Sequence, residues 1–218
     1  MLPEILNRRS IRKYKDTMID RQVIEEILQA GILAPSAKNR QPWRFLVVSG
    51  KSKAEMIRVM KAGLEREKKN PLLPESLRFL KGAQYTVQIM EQAPVIVCVV
   101  NVLGIDINCQ VNAEERIYEI CNAQSIGAAM ENMTLTATEH GLGSLWICDT
   151  YFAYDELNHW INTDGKMASA KNESGGGETG VQRTTQEVLI AAMAIGYADE
   201  APDKRPRKKL DEIVKWCE

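Results

Sequence analysis

Histidine is scarce in this chain, at two residues, and the five cysteines at positions 98, 109, 121, 148 and 217 show no C-x-x-C spacing. Such a set offers no recognisable zinc site, and an odd, scattered count points to reduced thiols rather than a disulfide framework. Excess charge of either sign is also lacking. With 28 Lys and Arg against 29 Asp and Glu the net charge is −1, which excludes a global field drawing the chain to nucleic acid or anionic lipid. The longest apolar runs, near 95–100 and 188–195, fall far short of the roughly 20 residues that span a bilayer. Residues 1–8, MLPEILNR, lack the basic-then-apolar order of a signal peptide. No linker separates two apolar blocks, so residues 1–218 are expected to form one domain. The expectation is a cytoplasmic chain without metal, nucleic-acid or membrane partners, whose basic clusters act locally.

What is present centres on residues 34–45, APSAKNRQPWRF. Pro35 and Pro42 end a preceding helix and fix an extended exit. Between them Ser36, Asn39 and Gln41 carry short polar groups able to hydrogen-bond a ligand from an exposed loop. A loop whose polar residues satisfy only their own backbone is the alternative. Upstream, Arg8, Arg9, Ser10 and Arg12 set three guanidinium forks and a hydroxyl within five residues, donors suited to phosphate. Near the other end, Arg205 and Arg207 precede Lys208 and Lys209. By charge, Arg8, Arg9, Ser10, Arg205 and Arg207 could hold one dianionic phosphate if the two clusters meet. Two separately solvated basic faces are the competing account.

Periodicity gives the elements. Asp20 is placed to cap a helix running to about Leu33, with Val23, Ile24, Ile27, Leu28 and Ile32 on one face. A strand at 45–49 and a helix at about 52–69 follow, the helix burying Met56, Ile57, Met60 and Leu64. A third amphipathic segment, 75–92, carries Leu77, Leu80, Tyr85 and Met90. The β-branched run at 95–100 is expected as a central strand buried on both faces. A long helix over 113–139 carries Ile117, Ile120, Cys121, Met130 and Met133, and its Gly127, Ala128 and Ala129 let another backbone approach, from this chain or a second subunit. Gly141 and Gly143 end that helix and lead into a strand, the reverse of a dinucleotide fingerprint, where glycines follow a strand. After a short helix at 154–161, residues 163–186 are rich in Gly, Ser, Thr and charge and are expected as a mobile surface loop. Its Gly180-Val181-Gln182 lacks the Lys and hydroxyl of a phosphate loop. Residues 188–197 form the last central strand, and Leu210, Ile213, Val214 and Trp216 give the tail at 201–218 an apolar stripe in need of a docking surface.

Four runs, RRSIRKY at 8–14, APSAKNRQPW at 34–43, GLGSLW at 141–146 and RPRKKL at 205–210, follow the order found in the nitroreductase family of FMN-dependent oxidoreductases, which the chain resembles over nearly its whole length. The resemblance implies an α+β fold, a mixed central sheet flanked by helices, assembled as an interlocked homodimer that the tail at 201–218 helps to hold. It implies bound FMN, with Arg8, Arg9, Ser10, Arg205 and Arg207 on the phosphate and ribityl chain. Arg12 would lie beside the N1–C2 edge of the ring, where negative charge collects on reduction, and Ser144, Leu145 and Trp146 along the N5 and O4 edge. Pro35, Ser36, Ala37, Asn39 and Gln41 match positions that reach the FMN of the opposite subunit, so that two chains share each site. The implied activity is hydride transfer from NADH or NADPH, then reduction of a nitroaromatic, quinone or similar small-molecule acceptor in a ping-pong cycle. The same scaffold carries dehalogenating and flavin-fragmenting enzymes, and a non-catalytic FMN-binding regulator is a further alternative. No motif between residues 69 and 112 matches a flavin contact. The aromatic that many members set over the ring is unassigned, Tyr85 and Tyr118 being candidates by type, and residues 163–186 replace what is usually a short crossing.

Overall fold

A computed structural model describes residues 1–163 and 186–217; apart from its two end residues, the expected Gly-rich loop at 163–186 lies outside them. The chain forms α1 (Pro3–Asn7), α2 (Arg21–Ile32), β1 (Trp43–Val48), α3 (Gly50–Lys69), α4 (Leu80–Gln92), β2 (Val95–Gly104), α5 (Ala113–Glu139), β3 (Gly143–Ile147), α6 (Tyr154–Thr163), β4 (Gln186–Gly196) and α7 (Leu210–Ile213). The strands pair antiparallel in the order β1-β2-β4-β3. Among the described residues the parallel part of the expected mixed sheet is a single bridge, Ser10 to Ser144. Helix starts follow the capping chemistry of the sequence. Asp20 accepts the Gln22 N–H at 2.9 Å to open α2, and Asn112 and Glu115 exchange side-chain and main-chain bonds, each 2.9 Å, to open α5. Gly141, at φ +71°, ends α5 in the left-handed region where a side chain would be strained.

The sheet separates two apolar layers, and the alternation of β2 sorts its residues between them. Val95, Val97 and Val99 face Ile24 and Ile27 of α2 and Met130 and Met133 of α5. Ile96, Cys98 and Val100 face Met56 and Met60 of α3, Val87 and Met90 of α4 and Leu157 and Ile161 of α6. Helices therefore cover both faces, which is why β2 is as apolar as a parallel strand although its neighbours are antiparallel. One register slip lies between Val99–Ala191 and Val100–Leu189, leaving Ile190 as the extra residue of a bulge. The same slip moves Leu189 into the layer with Ala192 rather than that of Ala191.

Some apolar positions face outward instead. A 3₁₀ turn at Pro74–Phe79 precedes α4 and resets its phase, so Leu77 and Tyr85 are exposed while Ala83, Val87 and Met90 are buried. On α5, Ile117 and Ile120 are 58% and 50% exposed, although Met130 and Met133 further along are fully buried. The tail is helical for one turn only, α7, and leaves Leu210, Ile213 and Trp216 exposed.

Packing is tightest where α3 crosses the turn at Asp149–Ala153. A Cβ added to Gly63 would lie 2.3 Å from Ala153 Cβ and 2.6 Å from its Cα. Because backbone, not a flexible side-chain tip, blocks the site, Gly63→Ala should destabilise the protein by about 1–3 kcal/mol despite alanine's better helix propensity; urea unfolding measures this. At the end of α3, Glu67 is fully buried and accepts the N–H groups of Leu72 at 2.9 Å and Leu73 at 2.7 Å. It also pairs with Arg66, which reaches Glu156 on α6 at 2.9 and 3.0 Å.

Candidate functional site

Residues 10–15 run as an extended strap between β3 and the segment that follows β4. On one side the Ile11 N–H donates to the Ser144 carbonyl at 3.0 Å. On the other, Lys15 N–H donates to Tyr197 O and Asp199 N–H to Lys13 O, both 2.9 Å, around the antiparallel bridge of Tyr14 and Ala198. Gly143 makes the first contact possible, since a Cβ there would meet Ile11 Cγ1 at 2.6 Å. Tyr14 anchors the strap from within: it is buried, and its hydroxyl donates to Ile11 O at 2.9 Å. Burial, and then the negative charge of Glu200, push its pKa up, so it stays a neutral donor.

This strap brings the two basic clusters together. Arg8, Arg9, Ser10, Arg12, Arg205 and Arg207 all line one cleft of about 370 Å³, with Lys204, Asp203, Pro202 and, from the first residues, Met1, Ile5 and Leu6. The two ends of the charge pattern, nearly 200 residues apart, thus meet as the phosphate account requires. Six cationic side chains face one carboxylate there. Several guanidinium groups are steadied by main-chain oxygens: Arg9 by Leu6 and Arg8, both at 2.8 Å, Arg12 by Ser10 at 3.1 Å, Arg207 by Pro206 at 3.3 Å. Arg8 Nε lies 4.0 Å from Glu131 on α5. Each contact uses one or two of the five N–H donors a guanidinium carries and leaves the others for an anion.

The 35–41 loop does not line that cleft; it rests on α5. The Ala37 N–H donates to Ser125 Oγ at 3.2 Å, and Ser125 donates onward to Cys121 O at 2.8 Å. Ser36 Oγ accepts the Gln41 N–H at 3.0 Å, and Gln41 Nε2 donates to Asn39 Oδ1 at 3.2 Å. The Arg40 guanidinium lies 4.1 Å over the Tyr118 ring. Lys38, Asn39 and Gln41 have φ of 53°, 53° and 48°. Three non-glycine residues in the left-handed region within four positions hold strain of about 1 kcal/mol or more each, which surrounding contacts must hold in place. Asn39 and Gln41 are exposed. The loop therefore satisfies much of its own backbone, as the bland account expected, and still presents polar groups outward.

Ser144 and Leu145 are buried on β3, Ser144 directly beside Ser10, whereas Trp146 is 42% exposed. Of the two aromatic candidates, Tyr85 lies on α4 and Tyr118 under Arg40, and neither lines the cleft. Trp43 is buried, in the layer with α2 and α5. Sequence reasoning missed the supports: Tyr14, Ser125, Glu131 and Glu200. Tyr14 stood inside the RRSIRKY run and could have been flagged as its anchor; nothing in the sequence sets Glu131 or Glu200 apart from the other acidic residues. No helix among the described residues is long and apolar enough to cross a membrane.

Known proteins resemble the chain in sequence and in fold. The "Putative NADH dehydrogenase/NAD(P)H nitroreductase" of Archaeoglobus fulgidus is 34% identical over 146 residues, 67% of this chain and 66% of that protein. A BluB-like flavoprotein from Clostridium difficile superposes with a TM-score of 0.73 at 24% identity, covering 99% of this chain and 97% of its own, a likeness of fold. A "putative nitroreductase" from Desulfovibrio desulfuricans, solved in complex with FMN, gives a TM-score of 0.60 at 26% identity over 97% of this chain and 92% of its own. The sequence model of the Nitroreductase family matches residues 5–170, a span that takes in the strap, the 35–41 loop and β3. By fold and by sequence together, the chain belongs to the nitroreductase family.

Proposed function

We propose that the protein is an FMN-dependent NAD(P)H oxidoreductase that reduces nitroaromatic, quinone or similar acceptors. The observation that carries this reading is the meeting of both arginine clusters in one cleft. The donor set fits the cofactor: guanidinium forks and a hydroxyl suit a phosphate monoester, and the apolar wall of Met1, Ile5 and Leu6 suits the less polar part of such a ligand. Arg8, Arg9, Ser10, Arg205 and Arg207 would hold the phosphate and ribityl chain, Arg12 the N1–C2 edge of the ring, and Ser144, Leu145 and Trp146 its other edge. The chemistry supplied by the cofactor is two-electron transfer, from NADH or NADPH and then to the acceptor. For this Arg12 contributes a fixed positive charge where negative charge develops, a stabilisation that is stronger in a site screened from water. No side chain need transfer a proton, and water can supply it.

The working unit in this reading is a homodimer. The 35–41 loop lies apart from its own chain's cleft, so a second copy is the means by which Pro35, Ser36, Ala37, Asn39 and Gln41 would reach a flavin. Exposed Ile117 and Ile120 on α5 and exposed Leu210, Ile213 and Trp216 on the tail supply apolar surface for that contact.

The test is an absorption spectrum of the purified protein, incubated with FMN and desalted, followed by anaerobic NADH and then NADPH. A retained yellow chromophore that bleaches within the mixing time, and recovers on adding a quinone, is the expected result. A colourless protein would remove the flavin assignment, and a bound flavin that neither nucleotide bleaches would favour the regulator.

A further inference from the structure

We infer that Glu200 is a positioning residue for Arg12, holding its main chain so that the guanidinium reaches the cleft with its charge unspent. The inference rests on the flavin reading above. The Arg12 N–H donates to Glu200 Oε1 across 188 positions of sequence, between two main-chain bonds of the strap, Ile11 to Ser144 and Asp199 to Lys13. At this point neither β3 nor the 197–199 segment supplies a carbonyl for Arg12, and a part-buried amide left alone would be unfavourable. A carboxylate so close to an arginine ordinarily takes the guanidinium. Here it takes the amide instead. The guanidinium is steadied by the neutral Ser10 carbonyl, and among the described residues Arg12 forms no salt bridge. Glu200 thus fixes the main chain of the residue without pairing with its guanidinium. It also adds a side-chain tie to the main-chain bonds that join the strap to the segment continuing into Arg205 and Arg207, the other half of the cleft.

The experiment compares wild type, Glu200→Ala and Glu200→Gln. The readouts are FMN dissociation constants from fluorescence quenching, flavin midpoint potentials from dye equilibration, and melting curves of the flavin-free proteins. The alanine variant should bind oxidised FMN about tenfold more weakly. Its two-electron potential should fall by about 30 mV, a further tenfold loss for the reduced form. The glutamine variant, whose amide oxygen can accept the same N–H, should hold its affinity within about threefold of wild type, because the contact to the Arg12 amide survives. An alanine variant with wild-type affinity and potential would overturn the inference. So would a glutamine variant as impaired as alanine, which would mean that the charge and not the acceptor matters. Should the alanine variant fail to fold, the glutamine variant decides: preserved potential supports the role, and a lowered one overturns it. A wild type that binds no FMN would instead overturn the functional reading.

Discussion

An Arg8→Ala, Arg207→Ala double variant should lose FMN affinity by about two to four powers of ten, since each charge-assisted bond to phosphate is worth about 1.5–3 kcal/mol and 1.4 kcal/mol is tenfold. The fold should survive. The polar contact of the Arg8 side chain is a 4.0 Å approach to half-exposed Glu131, and that of exposed Arg207 is to its neighbour's carbonyl, long contacts that contribute little to stability. Gel filtration of the FMN-loaded variant beside wild type, with a melting curve of each, measures both halves of this prediction. Flavin retained in full after the column would mean that the cleft binds its phosphate elsewhere, or binds none.

Glu67→Ala should be the most damaging single substitution outside the cleft. It removes one fully buried carboxylate from three partners at once, the Leu72 and Leu73 amides and the Arg66 guanidinium. What remains is a turn with two unpaired N–H groups and an arginine, 26% exposed, that keeps Glu156 and the Asn70 carbonyl. Breaking a buried pair by deleting one member costs about 3–5 kcal/mol, enough to lower the melting temperature of a chain this size by about 6–20 °C. Glu67→Gln should fall between the two, since an amide retains one acceptor oxygen for the turn. A melt of the alanine variant within a degree or two of wild type would mean that water replaces the carboxylate at no measurable cost.

The two predictions differ in how visible their residues were. The cleft was legible because its chemistry needs a residue type that is conspicuous in sequence. Arginines around a serine, and a second pair near the other end, allowed either one shared anion or two solvated faces, and the resemblance to the nitroreductase family chose the first. The elements were legible for a similar reason: capping by Asp20, the β-branched run of β2 and the stripe of α3 are local signals that tertiary packing did not override. Glu67 and Glu200 were invisible because a buried acid and a solvated one are written with the same letter. Their roles depend on which amides the fold leaves unpaired near them, a fact created only when distant segments meet. The face of α4 was misjudged because the 3₁₀ turn before it changes the helical phase, and a 3.6-residue period carried across a 3.0-residue turn points at the wrong side. On α5 the period was right over the second half. Its first half exposes Ile117 and Ile120, as it should if another copy of the chain covers them.

The strap has a consequence for how the protein is made. Its cleft is closed by residues that leave the ribosome far apart in time: at roughly 5–20 residues per second, about 10–40 s separate Arg8 from Arg207. Throughout that interval the strap lacks the 197–200 segment as a hydrogen-bonding neighbour, and the cleft lacks half its cations. A nascent chain therefore completes neither its two apolar layers, which need β4 at Gln186–Gly196, nor the cationic lining of this cleft until those late segments have been added.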